Sequence, residues 1–236
     1  LIKAVFFDFY GTLARFYPPR EEVQAQAVSD VLGHAVAREG LVRGYAKADD
    51  FMAQVNAGDR PSALRQGEDR AVFFAQYEQI VLQGAGIEVD VPTARRVWER
   101  VQQIPYGLAL YDDALPVLEA LKGRGLTLGI LSNIGRNPRQ LTDAHGLTPY
   151  LDFAVTSQEV GSNKPHPPMF LAALERAKVE PSEALHVGDS YLSDVQGARN
   201  VGINAVLVDR EGVAEAPPDC PRISGLMQVV GLVLSP

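Results

Sequence analysis

Apolar residues along this chain follow two patterns. Short, mostly apolar runs occur at Val5-Phe6-Phe7, Leu126–Leu131, Phe153–Thr156, Leu185–Val187 and Asn204–Val208. They are rich in β-branched or aromatic residues and flanked by Gly, Pro, Asn, Ser or Asp, which reads as strands buried on both faces. Stretches of helical spacing separate them: Asp112–Lys122, a helix opened by Pro138 with Asn137 as its cap, Pro167/Pro168 through Lys178, and Ser190 to Val201. A weaker helix is expected over Ser224–Leu232, and Gly212–Pro221 reads as a surface loop. Pro at a first helical position is harmless because its missing N–H would have had no helical partner. This alternation predicts a parallel sheet with helices on both faces.

The stretch after the first strand breaks the alternation. Phe16-Tyr17-Pro18-Pro19-Arg20 reads as a linker, and helical spacing then dominates over Glu21–Glu39, Ala46–Asn56, Pro61–Leu82 and Pro92–Gln103. Breaks are expected at Gly40, Gly58-Asp59 and Gly84-Ala85-Gly86, and Pro105-Tyr106-Gly107 would return the chain to the sheet. The predicted fold class is therefore α/β: a Rossmann-like parallel-sheet core over 1–14 and 108–236, with an all-helical cap inserted over 15–107.

Bulk properties narrow the function classes. The 236 residues, 46% hydrophobic and 22% charged, supply ample material for a core. A net charge of −7 gives no global basic footprint for nucleic acid. No apolar run approaches the roughly 20 residues that cross a bilayer, and the N-terminal run is too short for a signal peptide. The single Cys220 cannot form an internal disulfide, which agrees with a cytoplasmic setting, and it is expected to be an incidental surface thiol. The expected partner is a small molecule.

Candidate chemistry gathers at predicted strand ends. Asp8 follows the first run, and a carboxylate inside an apolar strand would be costly, so it should emerge at the carboxyl edge of the sheet, where open α/β sheets bind ligands. It could equally be a strand-capping Asp in a βα turn. Gly11 permits a sharp turn and Thr12 offers a hydroxyl beside the carboxylate. Ser132-Asn133 ends the strand at Leu131, where a hydroxyl can bond an anionic group or cap a turn. Lys164, within Lys164-Pro165-His166-Pro167, would offset repulsion between clustered carboxylates, about 4 kcal/mol per pair at ~4 Å with an effective dielectric near 20; the alternative is a solvated loop lysine. Asp189 and Asp194, spaced as GDxxxxD after a strand, are either hard-cation chemistry or acids capping a helix N-terminus.

Taken in order, these four segments resemble the signatures of the haloacid dehalogenase-like (HAD) hydrolase superfamily, from Asp8-Phe9-Tyr10-Gly11-Thr12-Leu13 to Gly188–Asp194. The resemblance implies Asp8 as covalent nucleophile, Thr12, Ser132 and Lys164 holding the transferring group, and Tyr10 and Asn133 beside the substrate. It implies Mg²⁺ held by Asp8, the Tyr10 carbonyl and Asp189, with Asp194 behind them, bonding Lys164 or orienting a water. Family phosphatases carry a second Asp two residues after the nucleophile, as general acid and base; here that residue is Tyr10. A phenol with a pKa near ~10 is a poor base at neutral pH. The 2-haloacid dehalogenase branch does carry Tyr there, but it lacks the Asp189 carboxylate and has a Tyr where this chain has Phe170. A further branch lacks the second Asp yet keeps a segment like His186–Asp194. The expected activity is Mg²⁺-dependent hydrolysis of a small phosphate monoester through an aspartyl-phosphate on Asp8. The alternatives are a metal-independent 2-haloacid dehalogenase, with Arg38 or Arg43 for a substrate carboxylate, and a weakly active or non-enzymatic relative. Arg15, Tyr17 and Arg20 are further residues near the first strand.

Overall fold

A computed structural model describes residues 1–58 and 66–234. They form two compact units, 1–15 with 109–236 and, separately, 16–108. The first unit is a six-stranded sheet in the order β5-β4-β1-β6-β7-β8. Its strands are β1 (Ala4–Phe7), β4 (Thr127–Ser132), β5 (Phe153–Thr156), β6 (Ala184–Gly188), β7 (Asn204–Val208) and the short β8 (Arg222–Ile223). Every pairing among them is parallel. β1 lies between β4 and β6 and all four of its residues are fully buried, which is why its sequence reads as an unbroken apolar run.

Helices cover this sheet, among them α5 (Ala114–Lys122) and α6 (Pro138–Ala144). Met169, Phe170, Ala173 and Leu174 of α8 (Pro167–Ala177) share one apolar cluster with Ala4, Phe6, Leu131 and Val155. The same cluster takes in Cys220, which is buried and so is not the surface thiol expected from sequence. Its Sγ sits 3.7 Å from the Pro221 carbonyl, and burial pushes the thiol pKa up. Where one helix from Ser190 to Val201 was expected, a π-helical turn (Tyr191–Gln196) precedes the short α9 (Gly197–Arg199). The terminal α10 runs Gln228–Leu234.

In the second unit, α1 (Arg20–Leu32), α2 (Arg38–Asn56), α3 (Gly67–Gly84) and α4 (Val91–Val101) pack around two apolar clusters. The expected break at Gly40 is wrong. The chain breaks at Gly33, whose left-handed backbone (φ 70°) closes α1 with its N–H donating to the Ser29 carbonyl. Gly40 lies inside α2 and serves helix contact: a Cβ there would come within 3.2 Å of Ala85. Gly44 and Gly84 similarly let α2 and α3 touch backbone to backbone, since a Cβ on Gly84 would overlap the Gly44 Cα. The part of the expected Pro61–Leu82 helix before residue 66 lies outside the described residues. Two strands were not foreseen: β2 (Ala14–Tyr17) and β3 (Gly107–Leu110) pair as a two-stranded sheet where a linker and a hinge were expected. The chain passes from one unit to the other within these strands.

Candidate active site

β1 and β6 run parallel with Phe7 opposite Val187, so Asp8 and Asp189 leave the sheet from adjacent strands at the same carboxyl edge. The Asp8 N–H still donates to the Val187 carbonyl at 2.8 Å, which fixes where the strand ends. On the other side β4 pairs Ile130 with Phe7 and delivers the buried Ser132 to the same edge. Asp8 is 7% exposed.

Lys164 lies between α7 (Ser157–Val160) and α8, and it is almost completely buried. Its ammonium donates to Asp8 Oδ1 at 2.6 Å, to Asp194 Oδ1 at 2.6 Å and to the Leu131 carbonyl at 2.8 Å. Three acceptors match its three N–H donors, so a charge that would be costly to bury alone is fully satisfied. Its backbone is held as well. Asn133 Oδ1 accepts from the Lys164 N–H at 2.7 Å, and Asn133 Nδ2 donates to the Lys164 carbonyl at 3.0 Å. Expected beside the substrate, Asn133 thus has both amide atoms on the lysine loop.

Asp194 is 2% exposed and turns back into the protein. Its Oδ1 also meets His186 Nε2 at 2.9 Å, and its Oδ2 accepts the Ser190 N–H at 3.0 Å. Gly188 makes room for it, because a Cβ there would overlap the Asp194 carboxyl. Ser190 does cap the following turn, accepting from the Ser193 N–H at 3.2 Å. The local capping expected of this segment is thus made by Ser190, while Asp194 turns inward to Lys164 and His186.

The four ionisable groups of this network are driven apart. Burial is the largest influence on Asp8 and raises its carboxyl to about 6; the Lys164 charge pulls against this and the Asp194 charge adds to it. Burial works the same way on Asp194, but the Lys164 charge and the His186 and Lys164 hydrogen bonds outweigh it and hold this carboxyl below the usual range. Burial opposes the Lys164 charge, and the Asp194 and Asp8 carboxylates overcome it, so the lysine stays protonated. Burial lowers His186, leaving a neutral imidazole at pH 7 that donates through Nε2 to Asp194. Its Nδ1 is buried without a partner.

Residues 9–14 fold into a tight loop that bonds to itself. The Leu13 and Ala14 N–H groups both donate to the Phe9 carbonyl, at 2.9 and 2.8 Å, and the Gly11 N–H donates to the Ala14 carbonyl at 2.8 Å. Gly11 has φ 84°, a conformation that favours glycine. A Cβ on Gly11 would also overlap the Asp189 carboxylate, so the missing side chain seats that carboxylate against the loop. Thr12 is fully buried and its Oγ1 has no hydrogen-bond partner within the protein.

Among the described residues no three His, Cys, Asp or Glu side chains cluster as a metal site. Mg²⁺, however, takes few protein ligands, all oxygens, and completes its octahedron with water and substrate. Asp8, Asp189 and the Tyr10 carbonyl offer that kind of set, and the cradle at Gly11 that a Cβ would fill suits an exposed carboxylate held for a cation. The donor chemistry fits the ion.

The remaining sequence candidates have the following surroundings. Arg20 pairs with Asp49 at 2.7 Å and stacks over Tyr45, all within the helical unit. Arg38 and Arg43 are exposed on α2, Tyr17 is exposed on β2, and the Arg15 guanidinium lies over the Tyr111 ring. Phe170 is buried edge-on against the His186 ring. Two contributors escaped sequence reasoning, the Leu131 carbonyl and His186. The second had a signal, a polar residue in the middle of an apolar strand.

Comparison with known proteins agrees with this geometry. The family model for haloacid dehalogenase-like hydrolase matches residues 2–202. A mouse (Mus musculus) protein, haloacid dehalogenase-like hydrolase domain-containing protein 3, is 40% identical over 214 residues, covering 88% of this chain and 82% of the relative. The ribulose-1,5-bisphosphate 5-phosphatase of Halopiger xanaduensis is 36% identical over 226 residues, covering 94% and 91%. Among solved structures, a 2-haloacid dehalogenase from Pseudomonas syringae pv. Tomato is 26% identical, with a TM-score of 0.56 over 99% of this chain and 98% of that one. With its parallel sheet, the carboxylates at one edge and a lysine bridging two of them, the chain belongs to the haloacid dehalogenase-like hydrolases.

Proposed function

We propose that this protein is a Mg²⁺-dependent phosphatase acting on a small phosphate monoester, with Asp8 as nucleophile. The observation that carries the reading is Lys164, which binds Asp8 through one oxygen and leaves the other carboxylate oxygen for attack. Burial raises the Asp8 carboxyl and Lys164 pulls it back, with a net value of about 6, so at neutral pH Asp8 is mostly a carboxylate. One Asp8 oxygen attacks phosphorus in line, the bond to the leaving alcohol oxygen breaks, and an aspartyl-phosphate forms. Water then attacks that phosphorus, phosphate leaves and the carboxylate is restored. To the Thr12 hydroxyl, which has no partner within the protein, and to Ser132 at the end of β4 we assign the donation of hydrogen bonds to oxygens of the transferring group. Asn133 acts by holding the Lys164 backbone. Bound to Asp8, the Tyr10 carbonyl and Asp189, Mg²⁺ would offset the negative charge of the phosphoryl oxygens. To the helical unit 16–108 we assign the role of a cap that selects the substrate.

With Tyr10 two residues after the nucleophile, the usual carboxylic acid for protonating a leaving alcohol is missing, a contribution typically worth ~10²–10⁴ in rate. The preferred substrates are then those with good leaving groups. The phosphatase reading is supported by the similarity to a ribulose-1,5-bisphosphate phosphatase. Tyr10 favours a second reading, 2-haloacid dehalogenase, because halide leaves without a proton. Parallel assays of phosphate release from an aryl phosphate and chloride release from 2-chloropropionate, with and without Mg²⁺, separate the two. Mg²⁺-dependent phosphate release that Asp189→Asn abolishes is expected; metal-independent chloride release would overturn the phosphatase reading.

A further inference from the structure

The loop that carries Asp8, Tyr10 and Thr12 is held from outside by a residue that none of the four signatures contains. Arg210, two residues beyond β7, donates through Nη2 to the Thr12 carbonyl at 3.1 Å. The same guanidinium makes a two-pronged pair with Asp113, Nη1 to Oδ2 at 3.1 Å and Nη2 to Oδ1 at 2.9 Å. Its plane rests on the Tyr111 ring, 3.8 Å from the centroid. Asp113 is itself fixed, because its Oδ2 also accepts the Leu226 N–H at 2.8 Å. The Tyr111 N–H donates to the Leu13 carbonyl at 2.9 Å, one residue beyond the arginine contact. The nucleophile loop, the turn after β3 and the C-terminal segment thus meet at one guanidinium.

We propose that Arg210 is a positioning residue for the reaction, acting through the Thr12 carbonyl to hold the 9–14 loop in its reactive geometry. This rests on the phosphatase reading only for its effect on rate. The local chemistry explains why the residue is arginine. A flat fork can satisfy both Asp113 oxygens and reach a third acceptor while its face lies on an aromatic ring; an ammonium can do neither together. The loop's internal bonds fix its shape, and the Thr12 and Leu13 carbonyls are two points at which residues distant in sequence hold it, beside the packing of Phe9 on His145 and of Gly11 on Asp189. Without the arginine, the Thr12 hydroxyl keeps its covalent place and loses its fixed position relative to Asp8. Misplacement of a catalytic group by about 1 Å can cost on the order of 10²-fold in rate.

The test joins amide hydrogen exchange to a double-mutant cycle. In Arg210→Ala and Arg210→Lys, exchange at the Leu13 and Ala14 amides should rise at least tenfold, while β4 and β5 amides keep wild-type protection. On an aryl phosphate, Arg210→Ala should lower kcat by ~10–100-fold with KM nearly unchanged. Thr12→Val should cost far less in the Arg210→Ala background than in wild type, because the hydroxyl it removes is already displaced. A general loss of stability would raise exchange throughout the sheet and leave the two substitutions additive, and that result overturns the proposal. Unchanged loop exchange overturns it equally. If wild-type protein hydrolyses no phosphate ester, the phosphatase reading fails by itself, and loop exchange alone decides whether Arg210 positions the loop.

Discussion

Replacing Lys164 with Met keeps the length of the side chain and removes its charge, which makes it a direct test of how the site is held together. Asp8 Oδ1 and Asp194 Oδ1 each lie 2.6 Å from the same nitrogen, so they are at most about 5.2 Å apart. Two like charges at that distance repel by ~3 kcal/mol with an effective dielectric near 20. The Leu131 carbonyl also loses its donor, and breaking a buried ion pair from one side typically costs ~3–5 kcal/mol. Without the cation both carboxyl pKa values rise in the folded protein, so the folded state binds more protons than the unfolded one. The variant's stability therefore falls as pH rises above the ordinary carboxylate range. Urea denaturation followed by circular dichroism, at pH 5 and pH 8, reads this out. The variant should be less stable than wild type at pH 8 by ~3 kcal/mol or more, and the gap should shrink at pH 5. Equal gaps at both pH values would show that charge is not what Lys164 contributes. Hydrolysis at pH 8 should be lost as Asp8 takes up a proton, and retained hydrolysis would refute the assigned role directly.

Three further outcomes follow from the geometry. Gly11→Ala combines a backbone with φ 84° and an overlap with the Asp189 carboxylate; it should raise the Mg²⁺ concentration for half-maximal activity and lower kcat/KM at least tenfold, as steady-state kinetics will show. Asp189→Asn should abolish Mg²⁺ binding in calorimetry while leaving the melting temperature of the metal-free protein within a few degrees of wild type, since Asp189 is exposed. In the helical unit, buried Glu78 is pushed up to about 8 by burial, against the hydrogen bond from Gln24. A raised folded-state value means that its burial costs stability progressively from about pH 4.5 to pH 8. Glu78→Gln keeps an acceptor for Gln24 and should be more stable than wild type at pH 8 by on the order of 2–4 kcal/mol, with little difference near pH 4.5 in thermal melts.

What sequence could show follows from what is local. The β1 run is legible because both faces of a central parallel strand must be apolar, and Asp8 is legible because it interrupts that run at its end. Asp189 and Asp194 follow β6 in the same way. Gly33 and Gly40 were misjudged because a helical glycine can mark a chain break or a close helix contact, and only the partner helix decides which. The burial of Cys220 depends on strands distant in sequence. The Arg210–Asp113 pair joins residues 97 apart and leaves no periodic trace. Lys164 meets Asp8 across 156 residues, and only the ordered signatures brought the two together before the structure did.

A covalent phosphoryl group on Asp8 would be the most direct sign of the chemistry. Protein turning over an aryl phosphate with Mg²⁺ would be quenched in acid and reduced with borohydride, which converts an aspartyl-phosphate to homoserine. The tryptic peptide Ala4–Arg15, which contains Asp8, would then be read by mass spectrometry. Homoserine at position 8, absent without substrate, is the predicted result. Sustained phosphate release with Asp8 unmodified, together with an Asp8→Asn protein that still turns over, would contradict nucleophilic catalysis by Asp8.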